Sequence, residues 1–120
     1  MAKAKIMLAE DDATMVSLLK TLLKLEGFDV LALSADADVP AAVRTEKPDV
    51  LLLDVHLLHQ SGLNILDALR GSKDTAGARV VMSSGANVKE ECMKHGANGF
   101  LLKPYMPDDL IALLKKNIKS

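Results

Sequence analysis

Five short apolar runs are spaced along the chain and alternate with segments of mixed polarity. Each run is continuous rather than alternating, which is typical of strands that are buried on both faces of a parallel sheet. The runs are Ile6–Ala9, Val30–Leu33, Val50–Leu53, Val80–Met82 and Phe100–Leu102. We therefore predict five strands, with enough chain between them for crossover helices.

The intervening segments show helical spacing. The clearest is Ala13–Glu26, whose apolar residues fall on one side and which Gly27 follows as a helix stop. Weaker patterns cover Ala37–Thr45, Leu63–Arg70 and Asn87–His95. Pro107 opens the last helix, with acids in its first turn and Lys115, Lys116 and Lys119 near its end. Strands that alternate with helices predict a doubly wound α/β fold, built as a single domain over residues 1–120.

Composition narrows the function classes. The chain has 120 residues, 49% of them hydrophobic, and a formal net charge of −1, so it lacks the basic excess of a direct nucleic-acid binder or a membrane anchor. Cys92 is the single cysteine, which excludes an intramolecular disulfide and a cysteine-rich zinc site. No apolar stretch reaches membrane-spanning length, and we expect a cytoplasmic protein.

Polar side chains follow four of the five predicted strands. They are Glu10-Asp11-Asp12 after the first, Asp54 at the end of the third, Ser84-Gly85 after the fourth and Lys103-Pro104 after the fifth. Taken singly, Asp11 and Asp12 are explained as helix caps, Asp54 as a loop-facing acid and Ser84 and Lys103 as loop residues. Because parallel strands bring their carboxyl ends to one edge, the set together predicts a ligand site there.

The residue types indicate the chemistry of that site. Converging carboxylates repel one another, and a divalent cation relieves the repulsion. Mg²⁺ takes few protein carboxylates and fills its remaining positions with water and phosphate oxygens. A hydroxyl and an ammonium suit the other oxygens of a phosphoryl group. Since the chain contains neither glycine-rich nucleotide motif, we predict a magnesium-dependent phosphoryl site without a bound nucleotide.

The ordered set of residues resembles the receiver domain of two-component response regulators, the CheY-like family. The matching residues are Glu10-Asp11-Asp12, Asp54, Gly62, Ser84-Gly85, Gly96-Ala97, Phe100 and Lys103-Pro104. The match covers essentially the whole chain. It implies a flavodoxin-like fold of five parallel strands in the order 2-1-3-4-5 with five helices.

The resemblance also implies a role for each site residue. Asp54 is expected to accept the phosphoryl group. A sensor histidine kinase or a histidine phosphotransfer protein is expected to donate it. Asp11, Asp12, Asp54 and the backbone carbonyl of His56 are expected to hold Mg²⁺. Lys103 is expected to bridge the acids at rest and to bind the phosphoryl group after transfer. Lys103 and the metal ion together are expected to neutralise the charge on the phosphoryl oxygens.

A conformational switch is implied as well. Ser84 is expected to move to a phosphoryl oxygen, and Phe100 to turn inward into the space that Ser84 leaves. The Lys103–Pro104 peptide bond is expected to be cis. Loop geometry is expected to depend on Gly62, Gly85 and Pro104.

The sequence departs from the family at three places. Leu57 and Leu58 stand where the family usually has Met-Pro, which leaves the loop after Asp54 without a rigid proline. The segment from Ser84 to Gly96 is shorter by about one helical turn. The apolar arc of the first helix is wide, so we expect Met15 and Leu18 or Leu25 at exposed margins, on the helix that docks to the kinase in the family.

Several functions compete. The leading one is a non-enzymatic signalling module, monomeric or weakly dimeric, with an unknown downstream partner. A haloacid-dehalogenase-type phosphatase requires Asp-x-Asp at the nucleophile, where this chain has Asp54-Val55-His56. A flavodoxin-like FMN carrier requires a phosphate loop where this chain has three acids. A receiver that only scaffolds, or drains phosphate, stays open. We expect either a stand-alone receiver or the receiver of a longer regulator.

Overall fold

The protein is described here by a computed structural model covering residues 3–118, which contains one five-stranded parallel sheet with helices on both faces. Its strands are β1 (Lys5–Ala9), β2 (Asp29–Ala32), β3 (Val50–Asp54), β4 (Val80–Ser84) and β5 (Gly99–Leu102). Its helices are α1 (Ala13–Leu25), α2 (Val39–Glu46), α3 (Gly62–Arg70), α4 (Lys89–Lys94) and α5 (Pro107–Asn117). The strand order 2-1-3-4-5 confirms the predicted fold. Lys119, assigned above to the end of the last helix, lies outside the described residues.

The central strands explain the continuous apolar runs. Successive side chains of a strand point to opposite faces, so both must be apolar when helices cover both sides. In β1, Met7 joins the core formed with α2, α3 and α4, whereas Leu8 joins the core formed with α1 and α5. Within residues 3–118, no helix is long and apolar enough to cross a bilayer.

Two helices begin two residues later than their predictions, whereas α1 and α3 differ by one residue at one end. Helix α2 begins at Val39 rather than Ala37, because the Asp38 carboxylate caps it by accepting a hydrogen bond from the Ala41 amide at 3.1 Å. Helix α4 has only six residues, in keeping with the shortened segment. On α1, Leu18 is 63% exposed and Leu25 81%, which confirms the expected apolar margin there. Met15, which was also expected at an exposed margin, is instead half-buried against the core.

Gly62 opens α3 against the end of β3. A β-carbon at this position would overlap the backbone carbonyl oxygen of Asp54 and lie 2.8 Å from the α-carbon of Val55. Glycine is therefore required here by close backbone approach. At Gly85, by contrast, a β-carbon would meet nothing within 4 Å, and φ is outside the left-handed region. The structure gives no steric reason for the expected role of Gly85 in loop geometry.

The contact of α3 with β3 predicts a stability difference between two glycine substitutions. Gly62→Ala should lower the free energy of unfolding by about 2 kcal/mol, since backbone rather than a flexible side chain must move. Gly77→Ala is the matched control, because its β-carbon meets nothing within 4 Å. Urea unfolding measures both. Equal stabilities for the two variants would contradict the close approach at Gly62.

Candidate functional site

Three acids meet at the carboxyl edge of the sheet. Glu10 and Asp11 follow β1, Asp54 ends β3, and the two strands are parallel neighbours with Ala9 opposite Leu53. One carboxylate oxygen from each of Glu10, Asp11 and Asp54 lies within 4.8 Å of the others. Glu10 and Asp54 are buried and Asp11 is half-buried. This donor set suits a hard divalent cation.

Asp12, which the resemblance implied as a metal ligand, lies outside this cluster of carboxylates. Its Oδ1 accepts hydrogen bonds from the amides of Thr14 at 3.0 Å and Met15 at 3.2 Å. Asp12 is exposed and serves as the N-cap of α1, one of the two interpretations that the sequence left open. Glu10 occupies the place in the cluster that was predicted for Asp12.

The ammonium group of Lys103 lies between two of these acids. Its Nζ donates hydrogen bonds to Glu10 Oε1 at 2.6 Å and to Asp54 Oδ2 at 2.7 Å. This is the contact at rest that the resemblance implied, and the Lys103–Pro104 peptide bond is cis as expected. Lys103 follows β5, so its side chain joins the ends of β5, β3 and β1.

Burial and pairing shift the pKa values of this group. Burial opposes charge on Lys103, but its hydrogen bonds to Asp54 and Glu10 outweigh burial and raise the Lys103 pKa. Burial raises the pKa of Glu10, helped by the charge of Asp54, although the bond from Lys103 acts against it. The site therefore favours the charged form of Lys103 and disfavours ionisation of Glu10.

The loop after Asp54 is a narrow hairpin. The Val55 carbonyl accepts from the Gly62 amide at 2.8 Å, and the Leu57 amide donates to the Gln60 carbonyl at 3.2 Å. The His56 amide donates to Asp54 Oδ1 at 3.0 Å, so the loop backbone holds the second oxygen of that carboxylate. The hairpin shows how the chain orders this loop without a proline at Leu57 or Leu58.

Ser84 and Phe100 lie on the two strands beyond β3. Ser84 is buried, and its Oγ accepts from the Ala86 amide at 3.1 Å, which is a local turn contact. Its carbonyl accepts from the Lys103 amide at 2.8 Å, so Ser84 and Lys103 adjoin across β4 and β5. Phe100 is half-buried against the core on the α2, α3 and α4 side.

Tyr105 is a neighbour of the site that the sequence analysis missed. It follows Pro104 in the loop after β5 and packs on the core formed with α1 and α5. Burial raises the pKa of its phenol, and the charges of Glu10 and Asp54 add to the effect while Lys103 opposes it. Since the chain has one tyrosine and no tryptophan, Tyr105 is an intrinsic fluorescent reporter beside the acids.

Solved structures share the fold. Chemotaxis response regulator CheY4 of Vibrio cholerae superposes with a TM-score of 0.87 at 22% identity, covering 98% of this chain and 100% of that one. The receiver domain of sensor histidine kinase PA1611 from Pseudomonas aeruginosa, solved with a magnesium ion coordinated in its active-site cleft, has a TM-score of 0.87 at 20% identity. It covers 99% of this chain and 100% of that one.

Sequence comparison agrees with the structural comparison. DNA-binding response regulator MtrA of Mycobacterium tuberculosis is 28% identical over 120 residues, which cover 98% of this chain and 51% of MtrA. The chain thus spans about half the length of such curated relatives. The family model of the response regulator receiver domain matches residues 6–115. On the strength of that match over nearly its whole length, the chain belongs to the response regulator receiver domain family.

Proposed function

We propose that Asp54 is the residue that receives the phosphoryl group in this receiver domain. A carboxylate oxygen of Asp54 would attack phosphorus as the P–N bond of a phosphohistidine breaks. The electron pair of that bond returns to the phosphorylated ring nitrogen of an imidazolium whose other nitrogen already carries a proton, so a neutral imidazole leaves and an acyl phosphate results. The observation that carries the proposal is the contact of Lys103 with both Glu10 and Asp54, which places a cation where phosphoryl charge would develop.

Mg²⁺ is the cofactor that we propose for this reaction. Three carboxylates and one ammonium leave a formal charge of −3 + 1 = −2 at the cluster, which one divalent cation balances. Glu10, Asp11 and Asp54 would hold it, together with the backbone carbonyl of His56 expected from the family. When bound, Mg²⁺ would neutralise charge on the phosphoryl oxygens. The magnesium reported for the PA1611 receiver domain supports this choice.

The remaining residues would bind the product. Lys103 would keep its contact with the phosphorylated residue, and Ser84 would exchange its hydrogen bond from Ala86 for one to a phosphoryl oxygen. Phe100 would then turn inward. Phosphorylation adds about −1.5 to −2 charge, which is enough to change local partners.

We propose a role in signalling rather than enzymatic turnover for this domain. The phosphodonor would be a histidine kinase or histidine phosphotransfer protein in the cytoplasm. The domain would then pass the signal to a downstream protein as a monomer or weak dimer. A domain that scaffolds or drains phosphate, without a switch, would instead bind its downstream partner equally with and without phosphate.

Intact mass after incubation with acetyl phosphate and Mg²⁺ tests the phosphoacceptor. The wild-type protein should gain one phosphoryl group, and Asp54→Asn should gain none. Omission of Mg²⁺ should prevent the gain. Phosphate on the Asp54→Asn variant would place the acceptor elsewhere.

Mg²⁺ titrations of paired variants test the metal ligands. Glu10→Gln and Asp11→Asn should each raise the Kd for Mg²⁺ about ten-fold or more, since each removes a carboxylate from the cluster. Asp12→Asn should leave the Kd nearly unchanged, because Asp12 caps α1 and asparagine caps a helix equally well. Tyr105 fluorescence can follow binding. A large loss in Asp12→Asn alone would restore Asp12 as the ligand in place of Glu10.

Removal of the Lys103 charge should destabilise the domain. Lys103→Met should lower the free energy of unfolding near pH 7 by about 1–2 kcal/mol, since two buried carboxylates each lose their charged donor and keep only a backbone amide. Because the Lys103 pKa is raised, its contribution is complete below the ordinary value of 10.5 and is lost as pH rises through the folded-state value. The difference from wild type should therefore shrink at alkaline pH.

Urea unfolding across this pH range measures the contribution of Lys103. Lys115→Met is the control, because the contact of Lys115 with Glu26 is long, at 3.5 Å, and exposed. A Lys103→Met protein as stable as the control at neutral pH would contradict the proposed electrostatic role.

A further inference from the structure

Gln60 connects the hairpin after Asp54 to a different loop of the protein. Its side-chain amide nitrogen donates to the backbone carbonyls of Ala37 at 3.0 Å and Ala35 at 3.3 Å, in the segment between β2 and α2. Both partners are carbonyls, which accept only, so the amide nitrogen must face them. Gln60 is half-buried; its bond to Ala37 is partly buried, whereas its bond to Ala35 is exposed.

The hairpin needs such a contact because its tip is otherwise weakly held. His56, Leu58 and His59 are exposed, and Leu58 is 69% exposed. The inward-packing apolar side chain of the tip is that of Leu57, which reaches the core on the α2 and α3 side. Gln60 supplies the directional bonds that fix the tip against the β2–α2 segment.

The position of the hairpin matters to the phosphoacceptor through one short path. The Gln60 carbonyl accepts from the Leu57 amide, and the adjacent His56 amide donates to Asp54 Oδ1 at 3.0 Å. Displacement of the hairpin tip would therefore loosen one of the two side-chain contacts of the Asp54 carboxylate. The other contact, from Lys103, belongs to β5 and does not depend on the hairpin.

We propose that Gln60 is a positioning residue that holds the Asp54 carboxylate in place by binding the β2–α2 segment through Ala35 and Ala37. This inference rests on the proposed phosphoacceptor role of Asp54. Gln60 itself touches neither the acids nor the Lys103 ammonium in the described contacts; it acts through the backbone of residues 56 and 57. The β2–α2 segment thereby becomes part of the support of the site.

Gln60→Met tests the proposal, because methionine keeps the length of the side chain and removes its hydrogen-bond donor. Hydrogen exchange is measured in the absence of Mg²⁺. The protection factors of the His56 and Gly62 amides should fall about five-fold, whereas those of amides in β1 and β3 should not change. The Kd for Mg²⁺, read from Tyr105 fluorescence, should rise by a similar factor. His59→Ala, an exposed neighbour on the same hairpin, should leave both quantities unchanged.

The outcomes separate this inference from the proposed function. Unchanged His56 protection and an unchanged Kd in Gln60→Met would overturn the inference. Uniform loss of protection in the hairpin and the strands, with an unchanged Kd, would also overturn it, because Gln60 would then be only a stabilising residue. If the wild-type protein itself neither bound Mg²⁺ nor accepted phosphate, the proposed function would fail, and with it the positioning role, even if His56 protection depended on Gln60.

Discussion

The ammonium group of Lys103 is the interaction on which the rest of the site depends. Glu10 and Asp54 are buried at the ends of two adjacent strands, and ionised carboxylates in such places are costly without a partner. Lys103 reaches both from the end of β5, across the intervening β4. One cation thus fixes three strand ends relative to one another, and a shift in any of them would separate a buried carboxylate from the Lys103 ammonium.

The same arrangement leaves the site short of positive charge. Burial and mutual repulsion raise the pKa of Glu10 even with Lys103 in contact. A protein selected for stability alone would fill this edge of the sheet with apolar side chains. A cluster that instead retains an excess of negative charge is suited to bind a divalent cation. The same excess charge lowers the stability of the fold, and the chemistry that we propose requires it. At this edge of the sheet, the residues that would give the highest stability therefore differ from those that the proposed chemistry requires.

The fold was predictable because its main constraint is visible in the sequence. Strands covered on both faces must be apolar throughout, and the runs at Ile6–Ala9 and Val50–Leu53 lie within β1 and β3. Their carboxyl ends then had to meet, which brought Asp54 and Lys103 together as predicted. The choice between Glu10 and Asp12 was not predictable in this way. Three consecutive acids offer the same chemistry. The structure places Glu10 in the cluster, whereas the extended backbone of Asp12 turns its carboxylate to the amides of α1.

The contacts that support the site from outside were the part of the structure least predictable from the sequence. Leu57 and Leu58 left the order of the loop after Asp54 open, because no residue there restricts the backbone as proline does. The structure orders the loop through a hairpin and through Gln60, whose acceptors are backbone carbonyls. Every residue carries such a carbonyl, so no pattern of residue types marks the partner. A side chain that binds distant backbone can therefore govern a site without any signal in the sequence, and its role emerges only when the two loops are seen together.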